Sequence, residues 1–393
     1  MVETFIYWRY LLHLQNHWSS NDKQPWAILS CREPSKITKK MSSHTPNDMF
    51  SNITRATVGN LTEESTENNI NVYMKAFKLT LYVIIFLVSA IGNILVCVII
   101  VKKRRMKTVT NYFILNLAFA DLTLTLICIP FDIPVQEMNY RWPYGSFMCN
   151  ILYPLQTMSL FASVFTLTAV SLTRYWAILH PLRRQLSITN AKWVIVIIWL
   201  LSIVPVSPYI SVLGVDEETG WCDEHWSSTH SRRIYTVALF VAEYAVPLSI
   251  IAAAYISIGR ELGKKRSSQE NKFLQNAQSE EASKVIRMLV AVTILFALCV
   301  LPTNIMWLWL DFGNTEQFTH FWELVAFCNI LTFANSAANP VCYTITNANY
   351  RKEILFLLKG CFKRQRHLQS DEMKMLETSR DLSRRRSTGY TSV

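Results

Sequence analysis

A run of polar residues interrupts an apolar stretch late in the chain: Asn335-Ser336-Ala337-Ala338-Asn339-Pro340-Val341-Cys342-Tyr343. Polar side chains and a proline in a lipid-spanning helix are costly unless a bundle interior satisfies them. Asn335 and Asn339 lie one helical turn apart and share a face. An earlier apolar stretch carries the carboxylate of Asp121, where an unpaired charge costs several kcal/mol. A third ends at Arg174, where an arginine that merely snorkels to the interface is the plain alternative to a functional one. These groups offer hydrogen bonding and charge neutralisation. No paired catalytic groups or phosphate-binding loop accompany them, so an enzyme is not expected.

The elements that must position them are apolar helices. The chain has 393 residues, 51% hydrophobic and 17% charged, which places it in the membrane class. Seven stretches, at 76–101, 110–134, 146–174, 190–213, 234–259, 284–310 and 318–344, are each roughly 20 residues or longer, enough to cross a bilayer. The expected fold is an all-α seven-transmembrane helix bundle. Its parts are an extracellular, glycosylated amino-terminal region without regular structure (1–75), the bundle (76–345), an amphipathic membrane-surface helix (346–362) and a disordered cytoplasmic tail (363–393). Glycine is scarce and no internal repeat is visible, which argues against a transporter of duplicated halves.

Charge orients the bundle. Lys102, Lys103, Arg104, Arg105 and Lys107 follow span 1; Arg183, Arg184 and Lys192 lie between spans 3 and 4; Arg260, Lys264, Lys265, Arg266 and Lys272 follow span 5. The positive-inside rule makes these loops cytoplasmic, and they account for the net charge of +11 without nucleic acid. The opposite side carries Glu63, Glu64, Glu67, Asp216, Glu217, Glu218, Asp223, Glu224 and Asp311. Either this acidic mouth steers a cationic ligand or these are ordinary solvated loops. The glycosylation sequons at Asn52 and Asn60 fit an outside location. No cleavable signal peptide is expected, and Met41 is an alternative start to Met1. Of nine cysteines, Cys149 and Cys222 both face an oxidising compartment and are expected to pair.

Beyond span 7, Ile354, Leu355, Leu358 and Phe362 alternate with Arg351, Lys352, Lys359 and Lys363, the pattern of a helix lying on the inner leaflet. Cys361 is either a palmitoylation site or a free cytosolic thiol. Arg384-Arg385-Arg386-Ser387-Thr388 resembles a basophilic kinase site whose phosphorylation would recruit arrestin, and Thr391-Ser392-Val393 could join the sheet of a PDZ domain.

Together these residues resemble the rhodopsin-like G-protein-coupled receptors over about 76–362. The resemblance rests on Gly92-Asn93, Leu117-Ala118-Phe119-Ala120-Asp121, Trp142-Pro143-Tyr144-Gly145 with Cys149, Thr173-Arg174-Tyr175, Trp199, Pro247 with Tyr255, Phe296 with Cys299-Val300-Leu301-Pro302, and the Asn339-to-Tyr343 run. It implies a plasma-membrane receptor that activates a heterotrimeric G protein through Arg174, Tyr175, Tyr255, Phe296, Pro302, Asn339, Pro340 and Tyr343. It also gathers Ser163, Asn335, Ser336 and Asn339 around Asp121. That cluster is an allosteric sodium site, a plain hydrogen-bond network, or a protonated carboxylate. No other cofactor is implied. Two positions depart from the pattern. Thr173 stands where the family has an acidic partner for the arginine, and Val300 where it usually has tryptophan.

Finer similarity is to neuropeptide receptors of the RFamide and neuropeptide FF type. It is carried by Cys222-Asp223-Glu224-His225-Trp226, Arg233-Ile234-Tyr235-Thr236 and Asn347-Ala348-Asn349-Tyr350-Arg351-Lys352. Gln156 stands where amine receptors keep an aspartate, and Phe333 where opsins keep their lysine. The resemblance implies an extracellular cationic amidated peptide bound by Gln156, Glu224, Trp226 and Asp311. Asn329, where these receptors commonly have histidine, and Asp132, whose added charge would welcome a basic peptide, depart from the pattern and complete the expected ligand-binding set. In it Asp311 receives the arginine of an Arg-Phe-amide terminus; otherwise Asp311 is a solvated loop residue. Trp226 could equally be an interfacial anchor. Rival readings are a receptor for a neuropeptide Y or orexin type of peptide, a largely ligand-independent receptor, and a transporter or channel with Asp121 on its ion path.

Overall fold

The computed structural model describes the backbone of residues 46–138, 140–267, 272–313, 318, 320–348 and 350–357, and side chains from Val72 onward except 265–281. The chain divides into two units, Met1–Glu67 and Asn68–Val393; apart from the backbone of the first turns of α1, everything below concerns the second.

Seven helices among the described residues are long and apolar enough to cross a membrane. They are α1 (Pro46–Lys102), α2 (Val109–Glu137), α3 (Gly145–Leu179), α4 (Ile188–Val212), α5 (Thr229–Lys264), α6 (Lys272–Phe312) and α7 (Phe321–Thr346). The multi-pass all-α bundle expected from the sequence is therefore present. The helices overrun the apolar stretches at most ends because capping sets helix boundaries and hydropathy does not. Thr108, Ser187 and Ser228 each accept a backbone N–H three residues on, satisfying donors that a helix start leaves free.

The larger correction is at the start of α1. Its backbone is helical from Pro46, inside the segment expected to lack regular structure. Proline suits the first helical turn, and no further proline occurs between Pro46 and Pro130. Residues 1–45, the tail beyond 357 with Cys361 and Thr391–Val393, and the side chains of Asn52 and Asn60 lie outside what is described.

The core joins all seven helices around buried Phe113, Phe296, Phe333 and Tyr343. Apolar residues such as Leu87, Trp193, Val204 and Leu298 point outward, as lipid-facing positions should. One close approach fixes α1 against α7: a Cβ on Gly92 would lie 2.6 Å from Cγ of Pro340. After α7 the helix over 350–357 packs back on the bundle. There Tyr350 is buried, its hydroxyl donates to Asn111 Oδ1 at 3.1 Å, and Lys103 pairs with Glu353 at 2.9 Å.

Between α4 and α5, strands β1 (Leu213–Val215) and β2 (Cys222–Glu224) form an antiparallel hairpin with Leu213 opposite Glu224 and Val215 opposite Cys222. Its turn is held by Asp216 Oδ1, which accepts the N–H groups of Glu218 and Thr219 and the Thr219 hydroxyl. Those bonds hold the Asp216 carboxyl below the usual range.

Candidate functional site

The expected disulfide joins Cys149 on α3 to Cys222 on β2. It pins the hairpin across the bundle mouth, and Leu213 packs beneath it on Trp142 and Leu152. The hairpin thereby carries Glu224 to the edge of a cavity between α2, α3, α5, α6 and α7. Asp132, Gln156, Glu224, Asp311 and Asn329 all line it, so five of the six residues expected to bind ligand come together. Trp226 is the exception. Its Nε1 donates to Glu224 Oε2 and its ring packs, tilted, with its centroid 5.0 Å from that of Tyr235. It positions a wall residue and is not itself part of the lining.

Each acidic wall residue is held differently. Asp132 Oδ2 accepts from Tyr82 at 3.1 Å and from Gln136 at 2.6 Å. Burial raises the pKa of Glu224, opposed by the Trp226 bond and by Arg232. Asp311 corrects the reading of a solvated loop residue, since its side chain is only 5% exposed. Arg232 Nε donates to its Oδ1 at 2.8 Å, Thr236 donates to Oδ2, and Arg233 donates to its backbone carbonyl at 2.8 Å. The carboxylate assigned to a ligand arginine thus already holds an arginine of its own chain.

The fourth acidic residue was missed from sequence. Glu243 lies in a π-helical turn of α5 (Val241–Ala245), is buried, lines the cavity, and its Oε1 has no hydrogen-bond partner. The signal that singled out Asp121, a carboxylate inside an apolar span, was equally present there.

Deeper in the bundle, Asp121 is fully buried and accepts from Asn339 Nδ2 at 2.8 Å through Oδ2. Asp121 Oδ1, Ser163 Oγ, Asn335 Oδ1, Ser336 Oγ and Asn339 Oδ1 are buried without hydrogen-bond partners. This set of orphaned oxygens from α2, α3 and α7 suits a hard monovalent cation with water. Beside it, a second polar group is complete: Asn116 donates to Thr166 at 2.7 Å and accepts from Trp199 Nε1 at 2.8 Å.

At the opposite end of the bundle from the hairpin, Arg174 donates to Thr110, and its Nε is buried without a partner. It forms no ion pair among the described residues. Thr173 turns its hydroxyl to the Ala169 carbonyl at 2.6 Å and gives Arg174 nothing. Tyr175 on α3 and Tyr255 on α5 are half-buried. Phe296 and Tyr343 are buried in the core, and Tyr343 OH has no partner. Pro302 and Pro340 lie inside α6 and α7.

A seven-helix bundle with a disulfide-pinned outer hairpin, an acidic outer cavity and a polar middle is the architecture of a membrane receptor. Residues 92–343 match the family model for the 7 transmembrane receptor (rhodopsin family), and the chain belongs to that family. It is 35% identical over 292 residues to neuropeptide FF receptor 1 of Rattus norvegicus, covering 69% of this chain and 67% of that one. Identity is 34% over 304 residues with neuropeptide FF receptor 2 of Mus musculus, covering 72% of each. It is 32% over 297 residues with a QRFP-like peptide receptor of Branchiostoma floridae, covering 72% and 78%. The protein is a signalling receptor, not an enzyme, and the transporter and channel readings are set aside.

Proposed function

We propose that this receptor binds an extracellular cationic, amidated peptide of the RFamide class and activates a heterotrimeric G protein at the plasma membrane. The observation that carries the ligand class is the cavity wall, where Asp132, Glu224, Glu243 and Asp311 face a single guanidinium, that of Arg232. Such a wall draws in a cation by steering and by direct pairing. The relatives named above, receptors for neuropeptide FF and QRFP-like peptides, support the same reading.

At the rim a peptide arginine exchanges with Arg232 on Asp311, which loosens α5 from α6. Thr303 Oγ1 bonds Thr332 Oγ1 at 2.7 Å and the Cys328 carbonyl at 3.0 Å, so a shift of α6 is felt by α7. From there the change reaches Asn339, Pro340 and Tyr343, and at the cytoplasmic end it repositions Arg174, Tyr175 and Tyr255 for the G protein. A sodium ion, when bound, supplies the positive charge that neutralises Asp121 and holds α2, α3 and α7 in one arrangement. In the same reading the amino terminus, with Asn52 and Asn60, is extracellular. Phosphorylation of the tail recruits arrestin, Cys361 carries palmitate on the inner leaflet, and Thr391–Val393 meets a PDZ domain.

The test is G-protein activation in cells by amidated peptides ending in Arg-Phe. An active peptide is expected to lose about tenfold or more in potency when its arginine becomes neutral citrulline, the worth of a charged hydrogen bond. Asp311→Ala should weaken the response at unchanged surface expression. Activation by some other peptide only, indifferent to citrulline, would overturn the ligand class.

A further inference from the structure

Four carboxylates line the cavity, and three have donors within the protein. Asp132 has Tyr82 and Gln136, Glu224 has Trp226, and Asp311 has Arg232 and Thr236. Among the described residues Glu243 alone has none, although it is 7% exposed and its Oε1 is buried. A buried carboxylate without a partner is a strongly unfavourable arrangement, tolerated where something outside the chain completes it.

The two helices that carry these residues fix its depth. Arg232 on α5 and Asp311 on α6 pair at the rim. Counting eleven residues inward along each helix gives Glu243 and Val300, roughly 16 Å below at 1.5 Å per residue. Tyr244, next to Glu243, donates to the Ala297 carbonyl on α6 at 3.2 Å, which confirms the register. Both Glu243 and Val300 line the cavity, and valine is small enough to leave room beside the carboxylate. The π-helical turn around Glu243 is a distortion that recurs at functional sites.

The geometry points to Glu243 as a second, deeper cation seat: a guanidinium or ammonium group of the ligand reaches the cavity floor and pairs with this carboxylate. The inference deepens the peptide reading above and rests on it for the natural ligand, but the seat itself is a property of the chain. Because Arg232 already occupies Asp311, a small cation that cannot displace it goes to the floor.

The probe is therefore hexylguanidinium, titrated into the purified full-length receptor while thermal unfolding is followed, with neutral hexylurea as the control. Hexylguanidinium should raise the melting temperature, and Glu243→Gln should raise the half-maximal concentration by about tenfold or more. Hexylurea should act equally on both proteins. Val300→Trp, which fills the floor and leaves the carboxylate, should likewise exclude the probe, and it serves if Glu243→Gln does not fold. The assignment is overturned if hexylguanidinium has no effect on the wild type. It is also overturned if either variant responds like the wild type, or if Glu243→Gln weakens hexylurea as much as its cationic twin. Failure of every Arg-Phe-amide peptide to activate the receptor would instead strike only the RFamide reading, and leaves the probe result standing.

Discussion

Two polar groups sit side by side in the middle of the bundle, and their bookkeeping of hydrogen bonds differs. Asn116, Thr166 and Trp199 link α2, α3 and α4 with each principal donor and acceptor matched. Asp121, Ser163, Asn335, Ser336 and Asn339 link α2, α3 and α7 and leave five oxygens without partners. Both occur in spans where an unmet polar group is costly. The first group is a staple that needs nothing further. The second leaves room for a group from outside the chain, and if one binds there, stability should depend on it.

The sharpest way to break this contrast is to remove the charge on which the open group depends. Asp121→Asn should abolish any rise in melting temperature when sodium replaces choline. In the wild type that rise is expected to reflect up to about 2.7 kcal/mol at a hundredfold excess over the dissociation constant. A variant that keeps the sodium response would show that the cation sits elsewhere. Asn116→Ala attacks the closed group and should lower stability by about 1–2 kcal/mol, the upper part of the range for hydrogen bonds between membrane helices. That loss should be the same in sodium and in choline, because the staple exchanges nothing with solvent ions.

Arg174 belongs with the open group. It bonds Thr110, its Nε is orphaned, and the neighbouring Thr173 bonds backbone instead of the guanidinium. An acidic residue there would close the arginine in its resting place. Thr173→Asp should therefore lower ligand-free G-protein activation, by up to about fivefold for a pairing worth about 1 kcal/mol at a half-exposed site. Equal basal signals from the two receptors would show that Arg174 is restrained by something other than its neighbour.

Much of this was legible in the sequence, and what was not has physical reasons. Span number and the Cys149–Cys222 pairing follow from hydropathy and from which side of the membrane each cysteine faces. The candidate wall residues Gln156, Glu224 and Asp311 come from family resemblance, Asp132 and Asn329 from positions where the chain departs from it, and the structure brings all five together. The state of Asp311 was hidden because its partner, Arg232, lies 79 residues away on another helix. Trp226 stands outside the lining for a related reason: a hairpin residue can face the cavity or brace its neighbour, and here its ring lies against Tyr235 and its Nε1 donates to Glu224. The helical start at Pro46 escaped because a polar segment shows no periodic apolar face to read.

The smallest expected effect separates an ion from a network most cleanly. Ser163 contributes one of the five orphaned oxygens and no charge. If the cluster binds sodium, Ser163→Ala removes one ligand oxygen, so more sodium is needed for the same stabilisation, while stability in choline stays within about 0.6 kcal/mol of the wild type. If instead the cluster is closed by direct hydrogen bonds that form as the bundle flexes, the variant should lose the same increment in both salts and its sodium midpoint should not move. The two outcomes differ in which axis of the titration shifts, so the result does not depend on the size of the effect. A shifted midpoint with an unchanged choline value would place Ser163 among the ion's own ligands. A parallel drop would move the whole Asp121 group into the class of the Asn116 staple.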